Sequence, residues 1–182
     1  MNVMEAIRGR HSTRKYRSDD VSEEQVTALL EAARWAPSWA NTQCWRFVVV
    51  RDPETKGRIA DALRRGNPAS EAVRTAPLLI VICIQLGRSG FYKGEAATCL
   101  GEYGMFDAGV AMQNLALAAH DMGLGTVHVA LMDIEQIERI LGVPEGVRVI
   151  ELTPIGYPVD EPHGPGRREL DELVFHERYG QK

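Results

Sequence analysis

The stretch FDAGVAMQNLALAAHDMGLGTVHVAL, residues 106–131, decides the fold. From Phe106 to Met122 no proline interrupts, and apolar side chains cover most of the circumference of the helix that this pattern predicts. A helix of that kind must be buried on several sides, and a second subunit is one candidate for part of the cover. Gly123 and Gly125 read as helix-terminating and tight-turn residues, and TVHVAL (126–131) predicts a strand. Outward from there, helical and strand patterns alternate. SEEQVTALLEAARWA (22–36) carries Val26, Leu29, Leu30 and Ala33 at helical spacing, opens on Ser22 and Gln25 as a capping box, and is stopped by Pro37. FVVV (47–50) predicts a short strand, and the turn RDPE leads to a charged helix over 54–65. LLIVICI (78–84) and VRVIELTPI (147–155) are central strands, and DIEQIERIL (133–141), closed by Gly142, is a helix. Residues 85–103 read as an irregular lid or binding wall, with Gly87, Gly90, Gly94 and Gly101 spread through them. The alternation predicts a three-layer α/β or α+β arrangement.

With 182 residues, 45% hydrophobic and 25% charged, the chain suits one soluble globular domain with a substantial core. A formal net charge of −4 argues against nucleic acid as the main partner. Cys44, Cys83 and Cys99 are too widely spaced for a disulfide framework or a zinc site, and they point to reduced thiols in a cytoplasmic protein. MNVMEAIRGR is too polar for a secretory signal. APLLIVICI (76–84) falls far short of the ~20 residues of a membrane helix, so no membrane partner is expected.

RGRHSTRKY (8–16) gathers Arg8, Arg10, Arg14 and Lys15 around Ser12 and Thr13. In an extended segment Arg10, Ser12 and Arg14 fall on one side, an arrangement suited to an anion such as phosphate. A solvated basic face at a helix C-terminus accounts for the same composition. In APSWANTQCW (36–45), Asn41 and Gln43 offer donors and acceptors to a heteroaromatic edge, while Trp39 and Trp45 suit either a planar ligand or the core. GLGT (123–126) is no dinucleotide fingerprint, because it lacks a third glycine and lies between a helix and a strand. The five histidines, His11, His120, His128, His163 and His176, form no metal-binding pattern, and no GxSxG elbow is present. No paired nucleophile and base is legible, so no side chain is assigned a catalytic role; a bound cofactor carrying the chemistry fits that. GPGRREL (164–170) supplies a second basic pair, Arg167 and Arg168.

In this order the segments resemble the nitroreductase family of FMN-dependent oxidoreductases. RGRHSTRKY is similar to the family's Arg-x-Ser-x-Arg phosphate segment, and APSWANTQCWRFVVV to its APSxxNxQPW stretch and strand. TAPLLIVIC and DAGVAMQNLALAAHDMGLGT resemble its AP strand and DxGxAxQNLxLAAxxxGLGT helix, and IGYP with RRELDELVFHERY its GYP and basic arm. The resemblance implies an α+β fold, a three-layer α/β/α sandwich with a mixed central sheet. It implies a single domain over 1–182, whose arm at about 157–182 reaches toward the partner of a homodimer. FMN would lie at the interface, with NAD(P)H as reducing co-substrate. Carried over residue by residue, Arg10, His11, Ser12 and Arg14 would hold the phosphate, ribityl chain and pyrimidine end, and Arg167 with Arg168 would complete the phosphate cradle. Pro37, Ser38 and Asn41 would reach the flavin of the partner subunit. His128, Val129, Ala130 and Leu131 would line the ring, a backbone N–H near Ala130 approaching N5, and Asn67 would touch the pyrimidine edge. Trp39, Phe91, Tyr92 and Tyr103 are the expected wall of the substrate pocket. The chain departs from the family pattern at Cys44 (usually Pro), His128 (Trp), Ala130 (Gly) and Trp39 (small).

The activity so implied is ping-pong transfer of a hydride from NAD(P)H through flavin N5 to an electron-poor acceptor, a nitroaromatic or quinone. The alternatives are other flavin chemistry on the same fold, such as reductive dehalogenation or free-flavin reduction, and a flavin-binding module without turnover.

Overall fold

The computed structural model describes residues 1–160 and 163–182; residues 161 and 162, inside the expected C-terminal arm, lie outside the described residues. Four of its described α-helices begin where a side chain answers the first free N–H groups. Asn2 caps α1 (Val3–Gly9) and Ser22 caps α2 (Glu23–Arg34), each in a reciprocal capping box with Glu5 or Gln25. Asp52 caps α3 (Pro53–Asp61), and Asp133 caps α6 (Ile134–Leu141), which Gly142 closes at φ 66°. The short α4 (Ser70–Thr75) ends on Ala76, whose carbonyl accepts a 2.5 Å hydrogen bond from Nζ of Lys56, a buried lysine whose pKa burial lowers.

The main sheet runs β1 (Trp45–Val50), β2 (Leu78–Gln85), β6 (Val147–Gly156) and β5 (Gly125–Thr126). Strand β2 is buried on both faces, which is why LLIVICI shows no polar alternation. Leu78, Ile80, Ile82 and Ile84 pack with Leu29 of α2 and with Met112 and Leu115 of α5 (Gly104–Asp121). Leu79, Val81 and Cys83 pack with Ile59, Val73 and Ile137 of α3, α4 and α6. The outcome is the expected α+β class in three layers. All ladders of this sheet are antiparallel, so it is mixed only through the isolated parallel bridge Ser12–Thr126.

Three expectations need correction. TVHVAL is a continuous strand only as far as Thr126; Val129 keeps an isolated bridge to Leu152 of β6, and from Leu131 the chain changes neighbours, the Leu131 carbonyl accepting from the Arg64 N–H and from Asn67 and Met132 bridging Leu63. The same exchange ends α3 at Asp61 rather than near 65. Residues 85–103 are not wholly irregular. They contain the hairpin β3 (Phe91–Tyr92) and β4 (Glu95–Ala96), turned by Lys93 and Gly94 at φ 52° and 86°, as a tight hairpin turn requires. The arm carries one short helix, α7 (Leu170–Leu173).

Helix α5 buries Ala108, Ala111, Met112, Leu115, Ala116 and Ala119, while Met105, Phe106, Gly109 and Gln113 remain exposed. The chain therefore supplies cover for only part of this helix. None of the described helices is long and apolar enough to cross a membrane.

Candidate functional site

Residues 10–14 leave α1 in extended backbone and join the free edge of β5. Ser12 bridges Thr126, and the Thr13 N–H donates to the Thr126 carbonyl at 2.8 Å. Thr13 packs so tightly on Gly125 that any Cβ there would collide with it, which explains the second glycine of GLGT. Tyr16 anchors the far side: its hydroxyl lies 2.7 Å from the Thr13 carbonyl and 3.0 Å from that of Pro154, and burial pushes its pKa up. Among the described residues, the guanidinium of Arg10 is left with Nη1 buried and without a hydrogen-bond partner, as is Oγ1 of Thr13. An unsatisfied buried donor costs about 1–3 kcal/mol, and more when charged. An anion received here removes that cost. Gly164 lies against the His11 ring, where a Cβ would collide, so the GPGRR stretch starts beside this segment. Arg167 and Arg168 follow, both exposed, with Arg167 Nη1 donating to the Pro165 carbonyl at 2.8 Å.

Further along the edge, the Val129 side chain turns into the core while His128, Ala130 and Leu131 are exposed. Asn67 works on this segment's backbone: its amide donates to the Leu131 carbonyl and its Oδ1 accepts the Ala69 N–H, both at 2.9 Å. Nδ1 of His128 lies 2.6 Å from Oε1 of Glu151.

The other expected residues gather at the start of α5, around Asp107. This fully buried carboxylate accepts the Trp39 N–H (3.0 Å) and the Ser89 hydroxyl (2.6 Å), and Sγ of Cys44 stands 3.7 Å away. Burial, with Asp107 adding to it, pushes the Cys44 thiol up to about 11, so it stays neutral at ordinary pH. The loop so held is strained, with Ala40, Asn41 and Gln43 at φ 45°, 54° and 46°, where non-glycine residues cost roughly 1–2 kcal/mol each. Within it the Ser38 hydroxyl accepts the Gln43 N–H at 3.0 Å. Tyr103 joins the same cluster through its N–H to the Ser89 carbonyl (3.1 Å), and Phe91 and Tyr92 lie in the hairpin between. Replacing Asp107 by alanine strands the Trp39 and Ser89 donors. The expected result is a loss of about 3 kcal/mol of stability, measured as a lowered denaturation midpoint.

The chain thus places its expected site residues in two groups. The phosphate segment adjoins the C-terminal end of α5 through Gly9 on His120 and Thr13 on Gly125, and the Trp39 loop adjoins its N-terminal end. The helix has 18 residues, so these ends are about 27 Å apart.

The Nitroreductase family model matches residues 7–73 and 65–157 of this sequence. The chain belongs to the nitroreductase family. It is 33% identical over 187 residues to the 5,6-dimethylbenzimidazole synthase of Rhodospirillum rubrum, covering 93% of this chain and 86% of that protein. A nitroreductase family protein of Clostridium novyi NT superposes with a TM-score of 0.79 at 30% identity, covering 100% of this chain and 96% of the other. The NADPH:FMN oxidoreductase of Vibrio harveyi, solved with NAD+, superposes with a TM-score of 0.81 at 27% identity, covering 98% and 78%.

Asp107 and Glu151 join the two groups of this nitroreductase-family site although no motif in the sequence singles them out as site residues. Asp107 is the one acid within the buried turns of a highly apolar helix, and Glu151 is the one acid inside the last central strand. In each case a charge at a position that pattern assigns to the core was the available signal.

Proposed function

We propose that this chain is an FMN-dependent oxidoreductase that takes a hydride from NAD(P)H and passes it to an electron-poor acceptor, a quinone or nitroaromatic. It acts as a cytoplasmic homodimer whose arm, about 157–182, reaches the partner. One observation carries the reading: the buried, unpartnered Nη1 of Arg10 opens an extended segment bearing Ser12 and Arg14, in a chain of formal charge −4. Those residues fit a phosphate, with Arg167 and Arg168 close behind Gly164 to complete its neutralisation. FMN, when bound, supplies the two-electron chemistry. The protein's part is to orient: hydride transfer needs donor and acceptor atoms within about 3–3.5 Å. The exposed Ala130 and Leu131 suit the ring's border, held in place by Asn67. Trp39, Phe91, Tyr92 and Tyr103 wall the acceptor's space.

The separation of the two residue groups supports the dimer. An isologous pair with α5 antiparallel to its mate brings each chain's Pro37, Ser38 and Asn41 toward the other chain's Arg10 segment and covers the exposed face of α5. The relative from Rhodospirillum rubrum favours keeping a second reading, other flavin chemistry on this fold, since its name is that of a synthase. Titration with FMN, then anaerobic addition of NADH or NADPH, then of a quinone or nitroaromatic, tests the proposal. Bleaching by a nicotinamide and reoxidation by the acceptor is the expected result. Bound flavin that neither nicotinamide bleaches overturns it in favour of a binding module.

A further inference from the structure

His128 and Glu151 are 23 positions apart in sequence, and the fold makes them a pair. Nδ1 of His128 is 2.6 Å from Oε1 of Glu151, and the Thr153 hydroxyl donates to that same oxygen at 2.8 Å. The Glu151 side chain is 14% exposed and Thr153 is fully buried, whereas the His128 side chain is 34% exposed. A carboxylate in this position accepts hydrogen bonds, so the imidazole proton sits on Nδ1 and Nε2 is the nitrogen turned to what lies outside. The backbone beside it is pinned by reciprocal hydrogen bonds between Val129 and Leu152, at 3.0 and 2.9 Å, which limits the ring's freedom to leave the carboxylate. A ring nitrogen held by a largely buried acid is the arrangement that fixes a tautomer and the ring's orientation. Charged groups on the bordering elements are Arg148 and Glu151 on β6, Arg10, His11, Arg14 and Lys15 on the N-terminal segment, and Arg64 and Arg65 on the turn that meets Leu131 and Met132. Helix α5 has none between Asp107 and His120.

We infer that His128, oriented by Glu151, is the proton donor to the acceptor; this rests on the FMN-dependent reading above. A quinone becoming a hydroquinone takes up two electrons and two protons. The hydride equivalent that originates on NAD(P)H brings both electrons and one proton. The second proton moves from Nε2–H of the His128 imidazolium to the quinone oxygen, leaving a neutral imidazole that solvent reprotonates. The acceptors served are those whose reduction builds negative charge on oxygen.

Two measurements test this. In the FMN-free protein, ¹⁵N NMR of the histidine rings is expected to show neutral His128 protonated on Nδ1, with mixed tautomers in Glu151→Ala. In FMN-loaded protein reduced anaerobically, wild type and His128→Asn are compared at equal flavin occupancy with p-benzoquinone and with ferricyanide, which takes an electron and no proton. The ratio of quinone to ferricyanide reoxidation rates is expected to fall about a hundredfold in the variant. An unchanged ratio, or a wild-type ring protonated on Nε2, overturns the inference alone. Wild-type protein that binds no FMN overturns the cofactor reading and this inference with it.

Discussion

Replacing Arg10 by alanine is expected to weaken FMN binding by about a hundredfold or more while leaving the fold intact. Charge-assisted hydrogen bonds are worth roughly 1.5–3 kcal/mol each, and a guanidinium fork makes two to one phosphate. Losing about 3 kcal/mol or more corresponds to at least a hundredfold in affinity. Stability should respond the other way. In the chain without ligand, Nη1 of Arg10 is buried and unpartnered among the described residues, a cost of about 1–3 kcal/mol that alanine removes. The lost packing of the aliphatic stem offsets part of that gain. The FMN-free variant should therefore melt at or above the wild-type temperature. Flavin absorbance per chain after desalting, fluorescence titration and a thermal melt check both halves. Arg10→Lys, which keeps the charge and loses the fork, should fall between. An Arg10→Ala protein that keeps its flavin removes Arg10 from the phosphate site.

Gly109→Arg is expected to turn the proposed dimer into monomers and to abolish FMN retention, although Gly109 touches none of the proposed phosphate ligands. A Cβ at Gly109 meets nothing within 4 Å in its own chain. Replacing a mid-helix glycine also favours the helix by roughly 0.5–1 kcal/mol, so the single chain should fold at least as well as before. What an arginine disturbs is the outer face of α5, where Met105 and Phe106 are each 67% exposed beside Gly109 and Gln113. Apolar side chains this open, together with Leu170, Leu173 and Tyr179 of the arm, are the surface that the partner would cover in the proposed dimer. With the partner gone, each Arg10 segment loses the Pro37, Ser38 and Asn41 loop that the proposal assigns to the opposite chain. Light scattering behind size exclusion gives the mass, and flavin absorbance in the same peak gives occupancy. A Gly109→Arg protein that stays dimeric rules out α5 as the seam.

Much of the framework could be read along the chain because the causes are local. Ser22 and Gln25 cap α2, Gly142 stops α6, and an unbroken apolar run makes β2 a central strand; each depends only on residues a few positions away. Elements failed to match where a distant neighbour intervened. TVHVAL thins to a single bridge at Val129 and its end turns to the Arg64–Asn67 segment, and the hairpin inside 85–103 rests on Lys93 accepting a positive φ that its side chain does not advertise.

The site divides along the same line. The basic cluster at 10–14, the polar and aromatic make-up of the Trp39 loop and the glycines of GLGT are visible as composition, since a phosphate needs charge and a tight turn needs glycine wherever they sit. That Nη1 of Arg10 is buried without a partner among the described residues, that Asp107 gathers Trp39, Ser89 and Cys44, and that His128 meets Glu151 are facts of tertiary structure. Each depends on contacts made across many residues, so it follows from how the layers close. Residue order determined which chemistry this chain carries; folding alone decided which groups stand together, because side-chain proximity over long separations comes from packing and leaves no trace in local pattern.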